Sequence, residues 1–354
     1  MTPYLRIKSF ENRLLQKHAM KDANRKIPSS IYSKLCRDEL TQINSFWKEY
    51  LKDGFITSSF VKCYPFYKFF HGFANYQLVP SDFYYLANHV LNAQWSLYFL
   101  SHKANLRMFI PQQNRPRTIL YNIYGHYYDS NDQLVTPDKA FDILKGYKEF
   151  VYKKAVNSGS GKGVKKVSFP DEKQIKQIIS SNDFIIQEIV KQNAFFSSLN
   201  DSSVNTIRME TLNLNDRFSV LSAFVRIGAK GSFVDNISGR EGMVVGVNNQ
   251  GALNGFGLTK GYEKVYHASS GVGFNNLTIP NYDQIKAQIA TFHQVFPAAN
   301  LINWDIAIDE NGEIIILEIN LGNMNPLYHQ IFNGPIFHER LDEVCSFMKS
   351  NTKK

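Results

Sequence analysis

The segment from Asn303 to Asn320 constrains this chain more than any other. Two apolar runs, Ile306-Ala307-Ile308 and Ile314-Ile315-Ile316-Leu317, flank the dipeptide Asn311-Gly312. That dipeptide between such runs predicts a β-hairpin with a tight primed turn, in which both central residues take positive φ. With the turn placed there, Glu310 pairs with Glu313, Asp305 lies opposite Glu318 and Asn303 lies opposite Asn320. Residues two apart on a strand share a face, so the four polar groups project together. Like charges directly opposite one another destabilise a sheet. Two carboxylates facing each other amid isoleucine, leucine and tryptophan therefore need a compensating charge. A magnesium ion on a nucleotide supplies it, because such an ion takes one or two carboxylates and completes its shell with phosphate and water oxygens. The competing reading, a solvated acidic edge hairpin, fits poorly with intervening residues so apolar.

A second informative stretch lies upstream, where Glu149-Phe150-Val151-Tyr152-Lys153-Lys154 leads into Ser158-Gly159-Ser160-Gly161-Lys162-Gly163. Three glycines with small neighbours let backbone N–H groups close over phosphates. The loop is neither a GxxxxGK[ST] nor a GxGxxG motif, and alone it also reads as a surface turn.

Around these motifs the texture is mixed. Residues 1–100 read as mostly helical, with apolar residues at helical spacing over 30–50 and a helix start at Pro80-Ser81-Asp82 leading into 83–100. From residue 118 onward short β-rich runs alternate with turns: 118–124, 150–153, 164–168, 183–189, 206–214, 219–228, 242–247, 304–308 and 314–319. Helices are expected at 136–144, 171–180, 282–295 and 335–349, and the Asn/Gly-rich stretch 248–257 reads as a turn. The expected class is α+β with antiparallel sheets.

These residues together resemble the ATP-grasp superfamily. Its signature is an aspartate on one strand and Glu-x-Asn on the next, here Asp305, Glu318 and Asn320. Lys103-Ala104-Asn105, the Asn-Thr-x-Arg element ending at Arg208, Arg226-Ile227-Gly228, Val234-Asp235-Asn236 and Gln330 to Pro335 look like the sugar-transfer-associated ATP-grasp family, over about residues 75–340. Ser238-Gly239-Arg240-Glu241-Gly242 departs from the plainer glycine run expected there. The resemblance implies an ATP-grasp fold, two α+β subdomains with antiparallel sheets gripping ATP, preceded by a helical region: 1–100 basic and helical, 101–190 with the glycine-rich loop, 191–354 with the metal-binding hairpin. It implies that Asp305 and Glu318 ligate magnesium, Glu318 bridging two ions and Asn320 holding the second. Lys103 and Lys153 would hold phosphates under Ser158, Gly159, Ser160 and Gly161. Lys154 stands where the family usually has proline, which leaves open which lysine faces the nucleotide. Gln187 and Glu188 would line the adenine pocket. Arg208 and Arg226 would meet the γ-phosphate, an acylphosphate or a substrate carboxylate, groups that a planar guanidinium grips bidentately.

The implied activity is Mg-ATP-dependent joining of a carboxylate to an amine through an acylphosphate. The family's name points the carboxylate toward a uronic acid of a bacterial surface polysaccharide or its precursor, and the amine toward an amino acid. A glycan kinase and a nucleotide-binding scaffold for glycosyltransferases are the alternatives. The net charge of +9 is concentrated in residues 1–70, which hold 13 Lys or Arg against 6 Asp or Glu. Such a surplus favours an anionic partner. In the absence of any nucleic-acid motif the expected partner is an acidic or lipid-linked glycan near the membrane, not DNA or RNA. Three widely spaced cysteines without a CxxC pair, no apolar leader in the first ten residues and no long apolar run set the expectation of a cytoplasmic enzyme, possible at the inner membrane face.

Overall fold

The computed structural model describes residues 33–51, 62–156, 163–235, 242–296, 298–322 and 324–351. Ser158, Gly159, Ser160 and Gly161, Asn236, the 238–241 part of the departing glycine run and most of the basic residues of the first 61 positions lie outside these. The architecture is α+β with antiparallel sheets, as the sequence leads one to expect.

The chain begins with α1 (Arg37–Tyr50), α2 (Cys63–His71), α3 (Ser81–Leu91) and α4 (Gln94–Ser101). The single helix expected over 83–100 is therefore two, separated at Asn92-Ala93, where both residues are extended. Asn92 is pinned there: its amide donates to the carbonyls of Leu301 and Leu321, at 2.8 Å each.

A six-stranded sheet follows, built from β1 (Thr118–Ile123), β2 (His126–Asp129), β3 (Leu134–Val135), β4 (Glu149–Lys154), β5 (Val164–Ser168) and β6 (Phe184–Gln187) in the order β3-β2-β1-β6-β4-β5. The short strands β2 and β3 carry little periodic signal and were not expected. Two amphipathic helices, α5 (Pro137–Lys145) and α6 (Glu172–Ile179), cover one face of this sheet through Ala140, Leu144, Ile175 and Ile179. Their starts are written locally. Thr136 caps α5 ahead of a proline in its first turn, and Asp171 forms a capping box with Gln174.

Beyond α7 (Ala194–Leu199) a seven-stranded sheet contains β7 (Thr206–Leu214), β8 (Arg217–Ile227), β9 (Met243–Val247), β10 (Leu253–Thr259), β11 (Lys264–Val265), β12 (Leu301–Ile308) and β13 (Ile314–Asn320), ordered β11-β10-β9-β8-β7-β12-β13. Residues 248–251 form a turn, but β10 begins at Leu253, inside the stretch read as turn alone. The helix α8 (Tyr282–Gln294) lies between β11 and β12. After β13 come α9 (Leu327–Asn333), a short 3-10 turn at His338–Arg340 and α10 (Leu341–Asn351). The helix expected over 335–349 thus starts six residues later, because His338 takes a positive φ of 43° and opens a 3-10 turn that an α-helix cannot pass through.

Strand alternation divides the large sheet into two unlike faces. One buries Ile207, Met209, Val225, Ile227, Ile302, Trp304, Ile306 and Ile316 against α7 and α8. The other presents Leu212, Leu214, Phe224 and Leu301 to α1, α2, α3, α9 and α10. This second core covers only part of its face. The remaining part is polar, and it carries the functional candidates.

Candidate functional site

The hairpin β12–β13 forms as a hairpin, with a correction at its tip. Gly312 alone takes the left-handed conformation, with φ 86°. The N–H of Gly312 bonds the carbonyl of Asp309 and the N–H of Asp309 bonds that of Glu313. The loop is therefore the three residues 310–312, and Glu310 does not pair with Glu313. Ile308 instead faces Ile314, and Ile306 faces Ile316. A β-bulge at Leu317 then restores the expected register, so that Asp305 lies opposite Glu318 and Asn303 opposite Asn320. Two departures of one residue cancel before the site is reached.

The charge that makes the facing carboxylates tolerable is supplied by the protein. This corrects the expectation that only a divalent ion could do so. Asp305 is opposite Arg208 on β7, its other neighbour. The Arg208 guanidinium grips it bidentately, with Nε on Oδ1 and Nη2 on Oδ2 at 2.6 Å. Arg226 on β8 reaches the same Oδ2 with Nη1 at 3.4 Å and contacts Asp235 through Nη2 at 3.3 Å. Glu318 pairs with Lys103 Nζ at 3.1 Å. Burial alone would lower the Arg226 guanidinium, yet Asp235, Asp305 and Glu318 outweigh it and hold it above its ordinary value.

Local sequence explains why these arginines stand where they do. Asn205 Nδ2 donates to the carbonyls of Phe196 and Asn200, and its Oδ1 accepts from Gly228 N–H and Ser203 Oγ. A Cβ at Gly228 would lie 2.6 Å from both Ser203 Oγ and the Val234 carbonyl, so only glycine fits. The Asn-Thr-x-Arg and Arg-x-Gly elements thus lock into one another. Thr206 Oγ1 also donates to Asp235.

The smaller sheet contributes from the opposite side. Lys103, which opens a 3-10 turn at Lys103–Met108, ties its N–H to the Ala155 carbonyl at 3.0 Å. Lys153 on β4 turns inward and is half-buried, whereas Lys154 is exposed, which resolves which lysine faces the site. Burial, and next the nearby Lys103, lower the Lys153 ammonium to about 8, opposed by Glu318, Asp235 and Asp305. Lys103, Lys153 and Gln187 line one cleft with Arg107, Arg115 and Leu317. Gln187 is buried and directs Nε2 at the Pro116 carbonyl, at 3.5 Å. Glu188 turns away, pairing with the exposed Arg117 at 3.4 Å, so its side chain does not join that cleft.

A magnesium ion, with its nucleotide, fits the donor set. A carboxylate has about four acceptor sites. Asp305 uses three of them, one on Oδ1 and two on Oδ2, while Glu318 uses one. Asn320 Nδ2 is buried without a hydrogen-bond partner, and a turn of that amide would put an oxygen in its place. No cluster of three His, Cys, Asp or Glu suited to a metal exists among the described residues.

One neighbouring group escaped sequence reasoning. Glu210, two residues from Arg208 on the same face, is completely buried. It accepts from Tyr84 OH at 2.6 Å and Asn303 Nδ2 at 3.3 Å, with His329 Nε2 3.4 Å away. His329 Nδ1 in turn meets Ser222 Oγ at 2.9 Å. This network joins α3, β7, β8, β12 and α9. Only the apolar setting of Glu210 in Ile207 to Leu214 hinted at it. Burial raises the Glu210 carboxyl to about 8 and lowers the His329 imidazole to about 3. The two groups have opposite linkage signs. His329 stays neutral in the fold while its unfolded counterpart charges below pH 6.5, so stability is lost as pH falls from there toward 3. Glu210 stays protonated in the fold while the unfolded carboxyl ionises above pH 4.5, so stability is lost as pH rises from there toward 8. Urea titrations across pH should show both limbs. His329→Gln should flatten the acid limb and Glu210→Gln the alkaline one; limbs unchanged in both variants would show that neither group is held neutral.

Residues 177–346 match the family model described as "Sugar-transfer associated ATP-grasp". No curated protein matches the chain. Among solved structures, D-alanyl-alanine synthetase A from Vibrio cholerae O1 biovar eltor is similar at 16% identity and a TM-score of 0.42, over 73% of this chain and 68% of that one. N5-carboxyaminoimidazole ribonucleotide synthetase from Thermotoga maritima is similar at 12% identity and a TM-score of 0.37, over 65% of this chain and 44% of that one. An L-amino acid ligase from Bacillus licheniformis is similar at 11% identity and a TM-score of 0.41, over 72% and 49%. The chain thus spans about half the length of the latter two. Residues 177–346, which hold Gln187, both arginines and the whole β12–β13 hairpin, are thus similar to the sugar-transfer associated ATP-grasp family.

Proposed function

We propose that the protein is a Mg-ATP-dependent carboxylate–amine ligase. The observation that carries this reading is the convergence of Lys103 and Lys153 from the small-sheet side on the Asp305–Glu318 pair, with Arg208 and Arg226 behind it. A site with four cations and three carboxylates gathered together suits a ligand that brings both negative phosphate and a divalent ion. Bound magnesium would neutralise phosphate charge and fix the polyphosphate's orientation. Asp305, Glu318 and Asn320 would hold it, and Lys103 and Lys153 would bind phosphate oxygens. Gln187 and the backbone after it would line the adenine pocket.

The chain's own part in the reaction is positioning and electrostatics. A substrate carboxylate oxygen attacks the γ-phosphorus, and ADP leaves. The amine nitrogen then attacks the acyl carbon, phosphate leaves and the nitrogen loses a proton. Arg208 and Arg226 would hold the carboxylate and the transferred phosphoryl group, since a planar guanidinium suits both. The finer reading is that the carboxylate belongs to a uronic acid of a surface glycan or its precursor and the amine to an amino acid. The family description and the basic first 70 residues support it. Among the described residues no helix is long and apolar enough to cross a membrane, so contact with a lipid-linked substrate would be peripheral.

The test combines the purified chain with ATP, magnesium, a uronic-acid glycan and a panel of amines. Phosphate release that requires both glycan and amine supports the ligase. Phosphate found on the glycan would replace it with a kinase, and no release across the panel would remove the uronic-acid reading.

Lys153 gives the reaction a pH signature. With its ammonium lowered to about 8, the lysine is charged below that pH and neutral above it. Affinity for ADP should therefore fall as pH rises above 8, and binding near pH 8 should take up a proton. Calorimetry in buffers of different ionisation enthalpy measures that uptake. Lys153→Met should abolish it, and unchanged uptake in that variant would assign the proton elsewhere.

A further inference from the structure

We propose that Arg115 is a third phosphate-binding cation of the cleft, gripping the polyphosphate of a nucleotide beside Lys103 and Lys153. This rests on the nucleotide reading above, which does not include Arg115.

The inference comes from comparing the cations that line one cleft. Lys103 has Glu318, at 3.1 Å. Arg107 has Asp132 at 2.9 Å and lies over the Tyr121 ring. The hydrogen-bond partners of Arg115 are neutral: Nε donates to the Ile110 carbonyl at 3.3 Å and Nη1 to Thr118 Oγ1 at 3.5 Å. Among the described residues no carboxylate lies within ion-pair distance of it. Burial lowers the Arg115 guanidinium from its ordinary value, so the charge is held in a partly desolvated place. Asp132 is its opposing charge, but that carboxylate is already paired with Arg107, and a partly desolvated cation that shares its counter-charge gains when an anion arrives.

The sheet explains why Arg115 is aimed there. It lies three residues before β1, and Thr118 pairs with Gln187 on β6, which pairs on its other side with Val151 on β4. Lys153 is two residues further along β4 and shares its face. Adjacent strands thus bring Arg115, Gln187 and Lys153 to the lining of one cleft. The chemistry also selects phosphate. A guanidinium offers five donors in a fixed fork, and most of those of Arg115 are free to take two oxygens at once.

Calorimetric titrations of ADP, adenosine and tripolyphosphate into the full chain, Arg115→Gln and Arg115→Ala test this. The glutamine variant keeps a donor near the Ile110 carbonyl, so a loss shared by both variants with an unchanged melting temperature is not a folding defect. The expected result is a loss of about 10- to 100-fold in ADP affinity, the range for removing a hydrogen bond to a charged group, with adenosine affinity unchanged. Equal losses for ADP and adenosine, or no loss for either, overturn the proposal. If the wild-type chain binds tripolyphosphate but not ADP, the nucleotide reading fails, and a loss of tripolyphosphate binding in the variants still assigns Arg115 to the polyphosphate. Binding of neither overturns both.

Discussion

Asp305→Asn is expected to lower nucleotide-dependent turnover by about 10³-fold or more while leaving a folded protein. Asparagine keeps the shape and one oxygen but loses the charge that a divalent ion requires, and losing one such electrostatic stabiliser costs about this much. It also presents an N–H₂ group to Arg208 and Arg226, both of which now grip the carboxylate. Those guanidiniums are partly solvated, so the stability loss should be only about 1–3 kcal/mol, well below that of breaking a sealed ion pair. Steady-state phosphate release, read beside urea denaturation, separates the two effects. Turnover within about tenfold of wild type would mean that Asp305 only anchors the arginines and that the metal reading of the hairpin is wrong.

Trp304→Ala is expected to be the most destabilising single change in the large sheet, at about 3–5 kcal/mol. Trp304 is fully buried on the face of β12 opposite the site. It packs edge-on against Phe296 with ring centroids 5.5 Å apart, and against His293 at 6.0 Å. Its Nε1 donates to Thr211 Oγ1 at 2.8 Å. Alanine leaves a void in a core where α8 and the sheet cannot easily collapse together, although Thr211 keeps His293 as a partner. Urea unfolding should show a lower midpoint with an unchanged slope. A loss under about 1 kcal/mol would show that this core closes over the gap, against the packing described here.

The two experiments probe opposite faces of one strand, and the sequence reveals that opposition well. Isoleucine and tryptophan alternate with Asn303 and Asp305, and the structure keeps this alternation. The hairpin tip was less legible. Asn311-Gly312 suggested a two-residue turn, whereas Asp309 Oδ1 captures the N–H groups of Asn311 and Glu313 and builds a longer loop. The register at the site agrees with expectation only because the bulge at Leu317 takes up the difference. The helical break at Asn92 was hidden for a related reason: the carbonyls that hold its amide belong to residues more than two hundred positions away. Glu210 and His329 carry no motif, and 119 residues separate them in the chain, so nothing local announces their pairing.

From the sequence alone came the shared face of Asn303, Asp305, Glu318 and Asn320 on the hairpin, since the two-residue period of a strand is fixed by local backbone sterics. It also supplied the family motifs and the cations that suit phosphate. The tertiary structure decided which of those groups neutralise one another. Arg208 and Asp305 meet because β7 and β12 are neighbours in the sheet, a pairing chosen by the shared burial of Ile207, Met209, Ile302 and Trp304. Burial of a common core acts between segments far apart in the chain, and no local pattern specifies its partner.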